Sequence, residues 1–328
     1  MTGGILPFVS SSVCEAIVDP ALVVDRIEQV YRWIAEGAIV TAKPVAMRMN
    51  YDEPNFKGHS KAVIVPPLSV AGLRVVGYRI QKDGSGPNSP NSTRLVVLMD
   101  LESGEPLALV DEHYNYTLRT AASVAVAARH LAPEKPRLGI IGAGGVAQAV
   151  LRMFAEVLPL EGIMITSRRA ESREGLAARY RDELKVPIET VAGTDEILDA
   201  CNVIVTATTT KTPLVGKDKV RPGMLLCALG SYELEPEIYR TADKLFVDDW
   251  SQTEAAHDIA PLLKAGLFGA ERLTAELAQV VTASVPGRVS RDEVIVVRTE
   301  GLASQDIALA HWAFEEASRR QMLQHLTL

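Results

Sequence analysis

The feature that most constrains the fold is a glycine-rich turn between an apolar run and a helical pattern. The run covers residues 138–141, and Gly142, Gly144 and Ala147 follow it with the spacing Gly-x-Gly-x-x-Ala. The first glycine permits a tight turn, and the second lets a pyrophosphate approach the backbone. The alanine lets the helix pack closely, and the free N–H groups at its start bind phosphates. The stretch predicts a dinucleotide site formed by Gly142, Ala143, Gly144, Gly145, Val146 and Ala147; the alternative is an ordinary turn without a ligand.

The end of the next predicted strand bears on which dinucleotide is bound. A domain that binds NAD usually has an acidic residue there, which accepts a hydrogen bond from the ribose 2′-hydroxyl. This strand instead ends in Ser167, Arg168 and Arg169. Because guanidinium groups can hold a 2′-phosphate, we favour NADP(H), with NAD(H) still open. The alternative is that the arginines only solvate a loop.

Composition limits the class of protein. The chain has 328 residues, which is enough for two domains, and its 47% hydrophobic and 23% charged residues are typical of soluble globular proteins. The net charge of −7, without a basic block, argues against a nucleic-acid partner. Cys14, Cys201 and Cys227 are widely separated, so we expect neither a disulfide framework nor a metal site. With no signal peptide or membrane segment, we expect a cytoplasmic protein.

The remaining pattern predicts two domains of different type. Residues 1–20 are expected to be irregular, and a helix is predicted from Pro20 until Gly37 stops it. Short β-rich segments follow at 61–65, 74–80, 93–100 and 107–110, with a loop at 85–90 and a hairpin turn at 102–106. A helix is predicted over 117–131. Strands and helices then alternate, which predicts a doubly wound parallel sheet in an α/β protein, before a long final helix at 304–323.

Two segments carry a family resemblance. Residues 105–111, Glu-Pro-Leu-Ala-Leu-Val-Asp, and residues 117–122, Thr-Leu-Arg-Thr-Ala-Ala, are similar to the signature of the ornithine cyclodeaminase/μ-crystallin family. The glycine-rich turn and the segments 205–209, 247–249 and 301–306 follow in the order expected for that family, so the resemblance extends over nearly the whole chain.

The resemblance implies a homodimer that acts on small amino, keto or imino acids with a nicotinamide cofactor. It implies a substrate-binding and dimerisation domain of residues 1–132 and 302–328, and a Rossmann domain of residues 133–301. Further cofactor-binding residues are expected at Thr206, Ala207, Thr208, Leu229 and Gly230.

The resemblance also places the arginines that hold the substrate carboxylate at Arg48 and Arg119. Two guanidinium groups can clamp a carboxylate and fix the α-carbon against the nicotinamide. The alternatives are a surface charge for Arg48 and a paired structural arginine for Arg119.

This chain departs from the family pattern at two places. Arg74 stands where the family usually has a lysine, and an arginine cannot serve as an acid. Ser231 and Tyr232 follow Gly230 where cyclodeaminases have an aspartate, which counts against ring-closing deamination.

The loss of the lysine leaves the proton donor open. Candidates are Lys61, Asp306, Lys57 and His59, although the last two can equally belong to a solvated basic loop. Tyr232 is an alternative for orienting the substrate nitrogen or a water molecule.

The sequence therefore predicts an oxidoreductase that transfers hydride at the α-carbon of a small imino or amino acid. Arg48, Arg74 and Arg119 supply more positive charge than one carboxylate needs, which suggests a dicarboxylic imine such as iminosuccinate. A cyclic ketimine, or a keto acid with an amine, remains open. The alternatives are an ornithine-type cyclodeaminase with a tightly bound cofactor and a crystallin-like NADPH-binding protein without turnover.

Overall fold

The computed structural model describes residues 4–53, 55–80 and 92–327, so the loop predicted over 85–90 lies outside the described residues. The chain divides into two compact units. Unit 1 consists of Met1–Asp19, Arg32–Arg119 and Leu302–Leu328, and unit 2 consists of Pro20–Tyr31 and Thr120–Gly301. The division between Arg119 and Thr120 falls inside a helix, whereas the sequence suggested a division after residue 132.

The described residues form sixteen strands and eleven α-helices, with short 3-10 turns at Pro66–Leu68, Lys217–Lys219 and Ala270–Arg272. The strands are β1 (Ile5–Val9), β2 (Val40–Thr41), β3 (Met47–Tyr51), β4 (Phe56–Val65), β5 (Val70–Arg79), β6 (Thr93–Asp100), β7 (Pro106–Asp111), β8 (Arg137–Ile141), β9 (Gly162–Thr166), β10 (Ile188–Thr190), β11 (Val203–Thr206), β12 (Leu225–Ala228), β13 (Lys244–Val247), β14 (Ala275–Glu276), β15 (Ile295–Arg298) and β16 (Gln324–Thr327). The helices are α1 (Ser11–Ile17), α2 (Pro20–Ala35), α3 (His113–Leu131), α4 (Gly145–Val157), α5 (Ala170–Tyr180), α6 (Thr194–Ala200), α7 (Pro236–Thr241), α8 (Trp250–Thr253), α9 (Ala260–Lys264), α10 (Leu277–Val281) and α11 (Ala303–Arg319).

The sheet of unit 1 has the order β16-β1-β7-β6-β5-β4-β2, with β3 also paired to β4. Its pairs are antiparallel except for β1 with β7, and the predicted hairpin between β6 and β7 is confirmed. One face, which we call the inner face, packs against α11. The approach is close at Gly72, where a Cβ atom would lie 2.5 Å from Cδ1 of Ile307. Glycine at that position therefore lets α11 lie directly on the sheet.

The sheet of unit 2 is parallel throughout, in the order β10-β9-β8-β11-β12-β15-β13-β14. Its first five strands have the 3-2-1-4-5 order of a Rossmann fold, which confirms the predicted doubly wound α/β architecture. The strands β8, β9, β11, β12 and β15 are buried almost completely, as expected for a sheet covered on both faces.

Three expectations about elements were wrong. Residues 1–20 are not irregular, because they form β1, α1 and the start of α2. Lys57 and His59 do not lie in a loop ahead of a strand but inside β4. The final helix, α11, ends at Arg319, and the residues after it return to the sheet as β16. In the described part of the chain, none of the helices combines the length and the apolar character needed to cross a bilayer.

Candidate active site

The glycine-rich turn of unit 2 has the shape that a pyrophosphate requires. Gly142 has a φ of +130°, and a Cβ atom there would lie 2.4 Å from the carbonyl oxygen of Ala207, so only glycine fits. Gly144 precedes α4, no side chain caps the helix, and a Cβ atom at Gly144 would meet nothing within 4 Å. Ala147 is fully buried against the sheet. Ala143, Gly145 and Val146 keep some exposure beside this open space, so the residues present fit a dinucleotide.

A buried carboxylate that the sequence did not single out holds the neighbouring loops. Glu233 is fully buried, and its Oε2 accepts hydrogen bonds of 2.7 Å from Thr206 Oγ1 and the Gly230 backbone N–H. Its Oε1 accepts two more of 2.7 Å, from the N–H and the hydroxyl of Thr208. Glu233 therefore ties the segment after β11, with Ala207, to the segment after β12, with Leu229. Together with Thr206 at the end of β11, these segments contain the five further residues that the sequence assigned to the cofactor.

The segment after β9 presents exposed arginines. Arg168 and Arg169 are exposed, and the Ser167 hydroxyl donates a 2.8 Å hydrogen bond to the Arg169 carbonyl oxygen. Arg173, which the sequence analysis overlooked, donates from Nη1 to the Ser167 carbonyl oxygen at 3.0 Å. The assignment of Arg168 and Arg169 to a 2′-phosphate stays a prediction.

The inner face of the sheet in unit 1 carries a row of basic side chains. Strand register places Arg48 opposite His59 and Lys61 opposite Arg74, and Arg94 shares the same face. Residues directly opposite each other project to one side of a sheet, so five basic residues from four strands lie on this face. Arg48 is exposed, whereas Arg74 and Arg94 are buried.

Arg74 is paired with acidic side chains rather than left available to a substrate. Its Nε lies 2.7 Å from both carboxyl oxygens of Glu112, which immediately follows β7, and 3.3 Å from Oδ2 of Asp306 on α11. Arg119 Nε lies 2.7 Å from Oδ1 of Asp306. Glu112 and Asp306 therefore lie on the same guanidinium nitrogen, Nε of Arg74. We call Arg74, Glu112, Arg119 and Asp306 the buried ionic cluster; each of them is at most 6% exposed.

The aromatic ring of Tyr116 lies beside this cluster. The guanidinium carbon atoms of Arg94, Arg119 and Arg74 lie 4.1, 5.0 and 5.7 Å from its ring centre. Such distances allow cation–π attraction, which favours keeping several like charges close together. Tyr116 lies in the first turn of α3 and Glu112 directly precedes that helix, so the start of α3 brings both groups to the cluster.

Burial and the nearby arginines give the two acids of the cluster different pKa values. Burial raises the pKa of Glu112 to about 7, although Arg74 lowers it in part. Burial also opposes ionisation of Asp306, but Arg119 and Arg74 outweigh it and hold that pKa below its usual range. Burial and the nearby cations lower the pKa of His59 to about 3, and its Nε2 lies 3.1 Å from Arg74 Nη1. His59 is therefore neutral near pH 7 and accepts this hydrogen bond.

The sequence candidates outside this cluster lie in other surroundings. The backbone N–H of Tyr232 donates to Asp258 Oδ2 at 2.9 Å, and its hydroxyl donates to the His257 carbonyl oxygen at 3.3 Å. The other oxygen of Asp258 pairs with buried Arg298 at 3.0 Å. Within the residues that the structure describes, no three His, Cys, Asp or Glu side chains are grouped as metal ligands would be.

The fold and these sites define a class of protein, a Rossmann-type oxidoreductase with a separate unit rich in buried arginine. Within that class, the chain belongs to the ornithine cyclodeaminase/mu-crystallin family, whose model matches residues 17–321. This confirms the resemblance seen in the sequence.

Individual relatives have related activities. A Delta(1)-pyrroline-2-carboxylate reductase of Bacillus cereus is 29% identical over 277 residues, 81% of this chain and 84% of that protein. The iminosuccinate reductase of Paracoccus denitrificans, solved with NAD+, is 26% identical with a TM-score of 0.87, and the match covers 99% of this chain and all of that one. The Thermococcus litoralis Delta(1)-pyrroline-2-carboxylate reductase, solved with NADH and L-proline, has a TM-score of 0.90 at 23% identity, over 98% and 100% of the two chains, and supports the fold.

Proposed function

We propose that this protein reduces a small imino acid to the amino acid with NADP(H), or runs the reverse dehydrogenation. The observation that carries the proposal is the arginine-rich inner face of unit 1, which favours binding of a carboxylate. The residues of the other unit fit a dinucleotide. The bound nicotinamide supplies or accepts the hydride at the α-carbon, and the protein supplies orientation and electrostatics. Arg48 and Arg119 are proposed to bind the substrate carboxylate.

The structure changes the argument for a second acidic group on the substrate. Arg74, which we counted as an anchor, is matched by Glu112 and Asp306. The inner face still has an excess of positive charge, because Arg48, Lys61 and Arg94 lie on it and Arg119 lies close by. We therefore still propose a dicarboxylic imine such as iminosuccinate, which is the substrate in the name of the Paracoccus relative.

The preference for NADP(H) rests on Arg168 and Arg169, which are exposed after β9. A 2′-phosphate can accept charge-assisted hydrogen bonds from guanidinium groups. The solved relatives named above hold NAD+ or NADH, so the two cofactors must be compared directly.

The proposed assembly is a homodimer joined through the other face of the sheet in unit 1, which we call the outer face. Six apolar, partly buried side chains from four strands lie on this face: Ile64, Leu73, Val75, Leu95, Val97 and Leu109. Contiguous apolar surface of this kind marks association sites. A related archaeal alanine dehydrogenase was solved as a dimer.

The test is consumption of NADPH or NADH with a panel of 2-keto acids and ammonia or methylamine, including oxaloacetate, and with the cyclic imine Delta(1)-pyrroline-2-carboxylate. We expect turnover with NADPH and the four-carbon dicarboxylic imine. Release of ammonia from ornithine without net cofactor change would instead show a cyclodeaminase. Tight NADPH binding with no turnover on any substrate would show a binding protein.

A further inference from the structure

Two buried carboxyl groups share one guanidinium nitrogen, because Arg74 Nε lies 2.7 Å from both oxygens of Glu112 and 3.3 Å from Oδ2 of Asp306. Two ionised carboxylates this close together in a buried site repel each other, which favours a proton on one of them. In the described part of the chain, no N–H or O–H group points at an oxygen of Asp306 with hydrogen-bond geometry, although two guanidinium groups lie within ion-pair distance. A proton on Glu112 gives the pair one hydrogen-bond donor, whereas the two ionised forms have none.

The surroundings of the pair keep the proton on Glu112 rather than on Asp306. Asp306 lies within ion-pair distance of both Arg74 and Arg119, and Glu112 is paired with Arg74. The pKa directions agree, because that of Glu112 is raised to about 7 and that of Asp306 is lowered. The titratable groups around the pair come from strands β4, β5 and β6 and from helix α3: His59, Lys61, Arg74, Arg94, Tyr116 and Arg119.

The other groups near this position are poorly suited to hold the proton. Arg74 occupies the place of the family's lysine, and a guanidinium group does not release a proton near neutral pH. His59 accepts a hydrogen bond from Arg74 and is already neutral at that pH. Glu112 is the carboxyl group of the cluster whose pKa, raised to about 7, lies in the range where an enzyme works.

We propose that Glu112 is the acid that supplies the proton of the reduction, with Asp306 as its hydrogen-bond partner and Arg74 as the residue that positions it. The proposal rests on the imine-reductase function above. In the step, the imine nitrogen takes the proton as the O–H bond of Glu112 breaks. A bound reduced nicotinamide would supply the hydride that adds to the α-carbon, and the C=N π pair would return to the nitrogen as a lone pair. Glu112 is left as a carboxylate beside Arg74 and is reprotonated from solvent.

The first test compares pH profiles of imine reduction for the wild type, E112Q and D306N. We expect the wild-type kcat/KM to fall as the pH rises through about 7. E112Q should lower kcat by about 10²–10⁴-fold with little change in KM. Its kcat/KM should also no longer decline as the pH rises through about 7. D306N removes a negative neighbour and so lowers the pKa of Glu112. The decline of kcat/KM should therefore occur at lower pH.

The matched control is E28Q. Glu28 is another buried glutamate paired with an arginine, since Arg129 Nη1 donates to it at 2.5 Å, and we assign it no part in the reaction. Its pH profile should match that of the wild type. An E112Q enzyme whose kcat/KM still declines near pH 7 would overturn the proposal.

The second test does not depend on turnover or on the correct substrate. Infrared difference spectra between pH 6 and pH 8 should show the C=O band of a protonated carboxyl that disappears in E112Q and persists in E28Q. Absence of that band in the folded wild type would overturn the shared proton. If the band is present but no imine is reduced, the proposed reductase function is wrong, and so is the role of Glu112 as its acid. The conclusion that Glu112 and Asp306 share a proton would still hold.

Discussion

At the residue scale, Glu112 and His59 should give opposite pH dependence to stability. The pKa of Glu112 rises from 4.5 to about 7 in the fold, so the folded state retains a proton that the unfolded chain loses. Its contribution to the free energy of unfolding is lost as the pH rises through this window, by at most about 1.4 kcal/mol per pH unit. The pKa of His59 falls from 6.5 to about 3, so its contribution is lost as the pH falls below 6.5. The two effects oppose each other between about pH 4.5 and 6.5.

Urea denaturation of the wild type, E112Q and H59Q from pH 4.5 to 8 separates these contributions. The free energy of unfolding of E112Q should not show the wild-type decrease as the pH rises towards 7. That of H59Q should not show the wild-type decrease as the pH falls. Parallel curves for all three proteins would show that neither group titrates as its burial requires.

A second prediction for single residues concerns Arg168 and Arg169. Replacing either with alanine removes a charge-assisted contact to a 2′-phosphate, and such contacts contribute about 1.5–3 kcal/mol. We expect the Kd for NADPH to rise about tenfold or more while the Kd for NADH stays the same, as measured by fluorescence titration. R240A, which alters an exposed arginine on α7, is the control. Equal weakening of both cofactors would contradict the assignment.

Some site residues could be predicted from the sequence and others could not, for a physical reason. The glycines at 142 and 144 could be read locally, because turn geometry and helix start lie within a few residues. Glu112 could not, because its partners Arg74 and Asp306 are far away along the chain. Its only local signal is an acidic residue directly after a strand, which many loops share.

At the element scale, the start of α4 gives a clean test of the dinucleotide site. Gly144 has φ −90° and ψ −174°, a conformation that alanine also adopts, and its missing Cβ points into open space. G144A should therefore leave the melting temperature unchanged but fill the path of a pyrophosphate, weakening NADPH binding by about tenfold, or roughly 1.4 kcal/mol.

Gly175 is the matched control, because its Cβ would also meet nothing within 4 Å, but it lies inside α5. G175A should leave binding unchanged and stabilise the protein by about 0.5–1 kcal/mol. Unchanged binding in G144A, measured by calorimetry, would place the phosphates elsewhere.

The elements show the same contrast between local and distant causes. The helix starting at Pro20, strand β6 and the alternation from β8 onward were predicted because capping, period and turn chemistry are local. β1 was missed because its short apolar segment becomes a strand only by pairing with β7 and β16, which are about 100 and 320 residues away.

At the scale of the whole molecule, the outer face of unit 1 should control assembly. L73K places a charge among apolar side chains, opposite Val97, and should convert a dimer to a monomer in sedimentation velocity experiments. V289K adds the same charge at a site that is already 68% exposed and should leave the dimer intact. A dimer that persists in L73K would place the interface on another surface.

The placement of α11 has a consequence for synthesis on the ribosome. Asp306 is made only after the roughly 180 residues that separate Arg119 from Leu302, which takes roughly 10–40 s at ordinary rates of translation. Until then, the inner face of the nascent sheet presents its arginines without the helix that covers them and without the acid that binds Arg119. All of unit 2 has been synthesised by the end of this interval, so a chain released at Gly301 would carry the cofactor unit but no buried ionic cluster. Catalytic competence would thus arrive last, only after nearly every other residue has been translated.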